Sequence, residues 1–298
     1  MKQLFFVILL FSLIDIKAQN ISSILELNDP EPIRNGRGKK IVETCSNISS
    51  VQTKIVTQPG TSIRVKQTET VMQSATLTLG KGEIKTLRTL NQDNQVLVEK
   101  TYVNGELLNT KSYQYDESTG LKTELEIIKA NNQYYEKSLY EYDAENHCIG
   151  IKTLDRQGNL IYRTGLQNND LGYPIELKTF NWNGARLGGI EYAEYFQEED
   201  RYISMMVNMN NDTLNRMTRR LNLRKPHLSP KEGEVYNEYN DLIKESCGEN
   251  CYRVYEYEYD DRGNWTNKKY YTVTTNERGE ETRFQFKISE RKIKYWKD

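Results

Sequence analysis

The 298-residue chain has two histidines, four cysteines and six prolines. The histidines exclude the most familiar catalytic arrangements. Neither His147 nor His227 has a carboxylate or cysteine at a recognisable ligand spacing, and both read as surface residues. No nucleophile–base–orienter set can therefore be assembled from sequence. A Walker loop, a GxGxxG turn, a nucleophile elbow and an EF-hand are all missing as well. Paired carboxylates occur in Glu198-Glu199-Asp200 and in Asp260-Asp261, but in turn and loop contexts where Asp serves the backbone. No catalytic, cofactor-binding or metal-binding residue is expected. Charge of one sign is lacking too: 41 basic residues face 42 acidic ones, mixed throughout. With no basic stripe, nucleic acid and anionic membrane are excluded as main partners.

Long apolar runs are confined to the start. Lys2, the apolar run from Leu4 to Ile14, and Ile16-Lys17-Ala18 read as an export signal cut after Ala18. About eleven apolar residues are too few to span a bilayer of ~30 Å. No later stretch is apolar enough for a membrane helix, so an exported chain is expected in the periplasm, at the outer surface or outside the cell.

Aliphatic side chains are also scarce, with 37% hydrophobic residues and a mean hydropathy of −0.79. Tyrosine is not, at 21 residues. Its placement is clearest in Tyr255-Glu-Tyr257-Glu-Tyr259-Asp260-Asp-Arg-Gly263-Asn264-Trp265-Thr-Asn-Lys268, where aromatic and charged residues alternate with the period of a strand. Asp260 to Gly263 fits a type I turn closed by a residue of positive φ, and the stretch reads as a hairpin. The expected register pairs Tyr259 with Trp265, Glu258 with Thr266 and Glu256 with Lys268. Diluted copies recur. Tyr113-Gln-Tyr115-Asp116 leads to Gly120, Tyr140-Glu-Tyr142-Asp143 leads to Asn146, and Asp155 leads to Gly158. Turns at Asn169–Gly172, Asn181–Gly184 and Asn276–Gly279 follow the same grammar. Strand plus turn thus repeats about every 12 to 14 residues.

Tyr-Asp-Asp-Arg-Gly-Asn at 259–264 resembles the motif of the YD-repeat, or rearrangement-hotspot, β-strand proteins of bacteria, over roughly residues 85–298. The resemblance implies a sheet of repeated hairpins. The toxin-enclosing shell of large members is not carried over to so short a chain; small exported members are the nearer likeness.

The expected fold is all-β, with consecutive antiparallel hairpins in an elongated sheet or open solenoid. Residues 1–18 are the signal peptide, 19–82 a linker and small N-terminal β region capping the sheet, and 83–298 the repeat domain with an insertion at 196–235. That insertion, with its Pro226–Pro230 loop, is the expected seat of specificity, and 213–223 reads weakly as strand. Exported cysteines read as bridges: Cys247 with Cys251, and Cys45 with Cys148. Lys287, Arg291, Lys292 and Lys294 resemble charges that protect a sheet edge. The function expected is a non-enzymatic envelope or surface scaffold or binding module with an unidentified protein or glycan partner. The alternatives are an immunity-type protein that neutralises a secreted toxin by strand pairing and, less favoured, a carbohydrate-active enzyme.

Overall fold

The computed structural model describes residues 20–25, 33, 35–57, 64–69, 82–130, 134–221 and 233–297. The expected signal peptide, His227 and the Pro226–Pro230 loop lie outside them. A single helical turn, α1 (Ile21–Ile24), precedes the strands. These are β1 (Gly38–Thr57), β2 (Arg64–Glu69), β3 (Glu83–Leu90), β4 (Val96–Val103), β5 (Glu106–Tyr115), β6 (Lys122–Lys129), β7 (Tyr135–Tyr142), β8 (Cys148–Leu154) and β9 (Leu160–Asn168). They continue as β10 (Pro174–Asn181), β11 (Arg186–Phe196), β12 (Arg201–Val207), β13 (Thr213–Arg220), β14 (Val235–Tyr236), β15 (Leu242–Gly248), β16 (Cys251–Tyr259), β17 (Trp265–Thr275) and β18 (Glu281–Tyr295). All pair antiparallel in one open 18-stranded sheet, as the hairpin repeats require.

Two expectations about its order fail. The N-terminal region is not a cap: β1 lies inside the sheet, with Glu43 opposite Arg291 of β18 on one side and Thr86 of β3 on the other. β2 continues the second side, pairing Val56 with Val65. A 20-residue strand is long enough to serve three partners at once. Consequently β18, with its Lys and Arg residues, is flanked by β17 and β1 and is no edge. Among the described residues the strands with a single partner are β2, β13 and β14. Nor do residues 201–220 interrupt the rhythm, because β12 and β13 form an ordinary hairpin that continues from β11, and 213–220 is strand.

One turn design joins most hairpins. The side-chain Oδ1 of the first residue accepts the backbone N–H groups two and four positions on. Asn91, Asp143, Asp155, Asn169, Asn181, Asn208, Asn237, Asp260 and Asn276 all do this. The fourth residue has positive φ and is Gly or Asn, for example Gly158 at 84° and Asn146 at 69°. Asp116 closes a variant one residue longer, and its bonds from Ser118 and Thr119 lower its pKa to about 2.

A bulge then follows the turn. Tyr259 faces Trp265 as expected, but Glu258 faces Asn267, Tyr257 faces Lys268 and Glu256 faces Lys269. The expected Glu256–Lys268 pair is thus displaced by one residue, which moves Lys268 to the aromatic face. Its ammonium lies 5.3, 4.9 and 5.0 Å from the ring centres of Tyr255, Tyr257 and Tyr270. The same slip occurs at β5–β6, β7–β8 and β8–β9. In β8 it leaves Ile149 44% exposed and turns Ile151, fully buried, towards Tyr140.

Most buried side chains share the tyrosine face, among them Ser138, Ile151, Thr153, Tyr162, Thr164, Leu177 and Tyr202. A ladder of charges crosses the sheet on that face. Arg291 (β18) and Arg88 (β3) both bond Glu43 (β1) at 3.3 Å, Arg88 bonds Glu99 (β4) at 2.8 Å, and Lys111 (β5) bonds Glu99 at 2.9 Å. Burial pushes the Glu99 carboxyl up, but Lys111 and Arg88 together hold it below its ordinary value.

Two outcomes follow. Asn169→Ala, which frees two turn N–H groups, lowers stability by about 1–2 kcal/mol in urea unfolding, whereas Asn169→Asp stays close to wild type. Glu99 stabilises the fold above its unfolded pKa near 4.5, and this contribution is lost as pH falls through its depressed folded value. Acid titration of stability therefore has a shallower slope in Glu99→Gln than in wild type.

Candidate ligand-binding cavity

The repeat-motif residues are structural. Tyrosines of the inner face reach back to the strand that starts after an earlier turn: Tyr115 donates to the Val96 carbonyl at 3.1 Å, Tyr142 to Lys122 at 2.7 Å, Tyr195 to Pro174 at 2.7 Å and Tyr257 to Leu242 at 3.2 Å. Tyr140 and Tyr113 flank the Lys122 ammonium at 5.5 and 5.6 Å. The main hairpin clasps the segments that begin β1 and end β18, two neighbours inside the sheet. Asn264, 1% exposed, donates to the Asn35 carbonyl at 2.9 Å and to Tyr295 at 2.8 Å, while the Tyr295 hydroxyl donates to Asp260 at 2.5 Å. Trp265 is buried under the Arg291 guanidinium, 3.9 Å from its ring centre. Gly263 has a φ of 73° and completes the turn.

Cys247 and Cys251 form the expected disulfide across the β15–β16 turn. The Cys45–Cys148 bridge is not formed; both are free thiols. Cys45 lies on β1 and Cys148 on β8, six inter-strand steps apart along the sheet. At ~4.8 Å per step the separation along the sheet is roughly 29 Å, against a disulfide reach of under about 7 Å between Cα atoms.

Cys148 instead lines a cavity of about 250 Å³ at the turn end of β6–β10. Its walls include Ile24 of α1 and Leu25 after it, Leu121, Lys122, Tyr140, Tyr142, His147, Asn168 and Pro174. Burial pushes the Cys148 thiol up to about 11, so at neutral pH it is a protonated thiol and a poor nucleophile. His147 is held by its turn, with Nδ1 3.3 Å from Asp143, and its ring lies over Gly172 so closely that a Cβ there would meet it at 2.0 Å. Among the described lining residues Lys122 is the one side chain of fixed charge, and none is Asp or Glu. Asn168 donates to the Cys148 carbonyl at 3.0 Å, while its Oδ1 is buried without a partner.

The segment 20–25 closes one side. Ile21 is fully buried against Leu177 and Tyr202, with Leu166, Ala193, Tyr195 and Leu221 around them. The Ile21 N–H donates to Glu191 at 2.8 Å, and Ser22 shares a hydrogen bond of 2.5 Å with the Tyr202 hydroxyl. Tyr173, Tyr195 and Tyr202 stack at 4.9 and 5.6 Å beside it. Burial raises the Glu191 pKa, opposed by the bond from Ile21 and the charge of Arg219.

Sequence reasoning missed Lys122, Asn168, Glu191 and the role of 20–25. The twelve-residue beat of Tyr and Asp around Lys122 was the available signal. The residues singled out as Glu198-Glu199-Asp200 form a short 3-10 turn, where Glu199 pairs with Arg201. Among the described residues no group of three or more His, Cys, Asp or Glu is placed to hold a metal, and no helix is long and apolar enough to cross a membrane.

No family model matches the chain, and no curated protein matches it. Among solved structures it is similar to a porin-like protein from Bacteroides uniformis, with 10% identity, a TM-score of 0.42 and coverage of 89% of this chain and 100% of that one. A LolA superfamily protein from Nitrosomonas europaea follows at 12% identity and a TM-score of 0.18, covering 94% and 96%. MucB in complex with MucA(peri) matches at 8% identity and a TM-score of 0.13, covering 92% and 94%.

Glu191 supplies a test of the segment's anchor. A raised folded pKa means that its contribution to stability is full below 4.5 and is lost as pH rises through the folded value. Glu191→Gln still accepts from Ile21 and carries no charge to desolvate. Its melting temperature at pH 7 is therefore equal to or above wild type, with the difference vanishing in acid. Glu191→Ala orphans the Ile21 N–H and melts lower, by about 1–3 kcal/mol in stability.

Proposed function

We propose that the chain is an exported, non-enzymatic binding protein of the bacterial envelope or surface, and that its ligand places an anionic group in the cavity of β6–β10. The observation that carries this is the cavity's charge: among the described residues that line it, Lys122 is the one fixed charge, in walls of Tyr140, Tyr142, Leu121 and Pro174. Tyr113 and Tyr140 hold the ammonium on the inner face by cation–π attraction. Carbon-rich walls with one cation suit a ligand with an apolar face and a carboxylate, as in acidic envelope glycans. A binding role, rather than a catalytic one, is supported by the protonated state of Cys148 and the tethered His147. The Cys247–Cys251 bridge supports an oxidising compartment.

Titration calorimetry with uronic-acid oligosaccharides and neutral oligosaccharides of equal length tests this reading. The acidic series binds wild type, loses at least about tenfold in affinity in Lys122→Gln, and does not bind Leu121→Trp, which fills the cavity. Binding that survives Leu121→Trp places the ligand elsewhere and contradicts the proposal.

The open edges favour a second reading, capture of a partner by strand addition. β13 pairs only with β12 among the described residues and exposes Leu214 (63%) and Met217 beside Arg216. A secreted toxin bound in this way is released by a proline at Thr218 and is indifferent to Leu121→Trp.

A further inference from the structure

We infer that residues 20–25 are a lid that undocks from β9–β12 and opens the cavity, so that ligand enters and leaves past α1. This rests on the binding reading above and adds how that site is gated.

The segment differs from the rest of the fold in how it is attached. Strands hold one another through ladders of backbone bonds, whereas α1 is one turn with two internal bonds, Ile24 N–H to Asn20 and Leu25 N–H to Ile21. The hydrogen bonds from Ile21 to Glu191 and between Ser22 and Tyr202 both end on side chains of the sheet. A single helical turn does not persist alone, so the segment is ordered by what it packs against. Elements fixed by side chains and not by a backbone ladder occupy the low end of local stability.

Closure also leaves polar groups poorly solvated. Glu191 is a buried carboxyl held by the Ile21 N–H, the Ser204 side chain and the charge of Arg219, and Asn168 Oδ1 at the cavity wall is buried without a partner among the described residues. Opening hydrates both, which offsets part of the loss from uncovering Ile21, Ile24 and Leu25. Because Ile24 and Leu25 are themselves cavity wall, the motion that exposes the Leu177–Tyr202 groove removes one side of the cavity.

Cys148 reports the motion without any ligand, since its thiol lines the cavity and is shielded by burial. The chain from residue 19 onward carries Cys45→Ser, so that Cys148 is its one free thiol, and is treated with 4,4′-dithiodipyridine. Ile21→Asp, which sets a carboxylate against Glu191, speeds modification of Cys148 by about tenfold or more. A synthetic peptide of the sequence of residues 19–25 slows it again in proportion to concentration. The matching Cys148→Ser chain, in which Cys45 is the reporter, shows no acceleration by Ile21→Asp. An unchanged Cys148 rate, no effect of the peptide, or equal acceleration of Cys45 overturns the lid. Since no ligand is present, failure here leaves the cavity's binding to the calorimetry, and failure there leaves the lid standing.

Discussion

The side-chain oxygen at the first position of most turns is the interaction on which the sheet depends. It accepts two backbone N–H groups that a tight turn would otherwise leave to water, and so fixes where each strand ends and the next begins. The bulge that follows fixes which side chains of the returning strand face inward. Tyrosine is the common inward residue because its ring covers a neighbouring strand while its hydroxyl reaches a backbone carbonyl across the hairpin, as Tyr142 does at Lys122. A chain with few aliphatic residues thereby buries rings, short hydroxyl side chains and paired charges instead of a thick apolar core.

Paired charges join the two ends of the chain. Glu43 stands between Arg88 and Arg291, so β3 and the last strand are both bound to a carboxylate of the first strand. Asn264 and Asp260 repeat the link at the turn end through Asn35 and Tyr295. The hairpin with the sharpest repeat motif is also where the first and last strands of the chain are clasped, which accounts for a fuller set of motif residues there than in the diluted copies.

Much of this architecture was legible in the sequence. The period-2 alternation in Tyr255–Tyr259, the Asp–Gly turns and the Cys247–Cys251 loop each carry local information, and each is found as read. What was not legible is non-local. Nothing in residues 38–57 says that they insert between β18 and β3, because a strand with two partners looks the same whichever strands they are. The one-residue slip after the turns of β5–β6, β7–β8, β8–β9 and β16–β17 is similarly silent, since Thr266 and Asn267 are both acceptable opposite Glu258. Cys45 and Cys148 were paired by elimination, and the ladder order separates them. The cavity escaped for the same reason: Ile24, Lys122, Cys148 and Pro174 come together only once α1 lies across β9–β12.

The central claim is that turn and bulge together decide the inner face, and with it the lining of the cavity. Cross-strand nuclear Overhauser effects in β7–β8 test it most directly. The account predicts that the backbone of Tyr140 is paired with Ile151 and that of Glu141 with Gly150. Contacts pairing Tyr140 with Gly150 instead would mean that no bulge follows the Asp143 turn, would turn Ile151 outward, and would contradict the account.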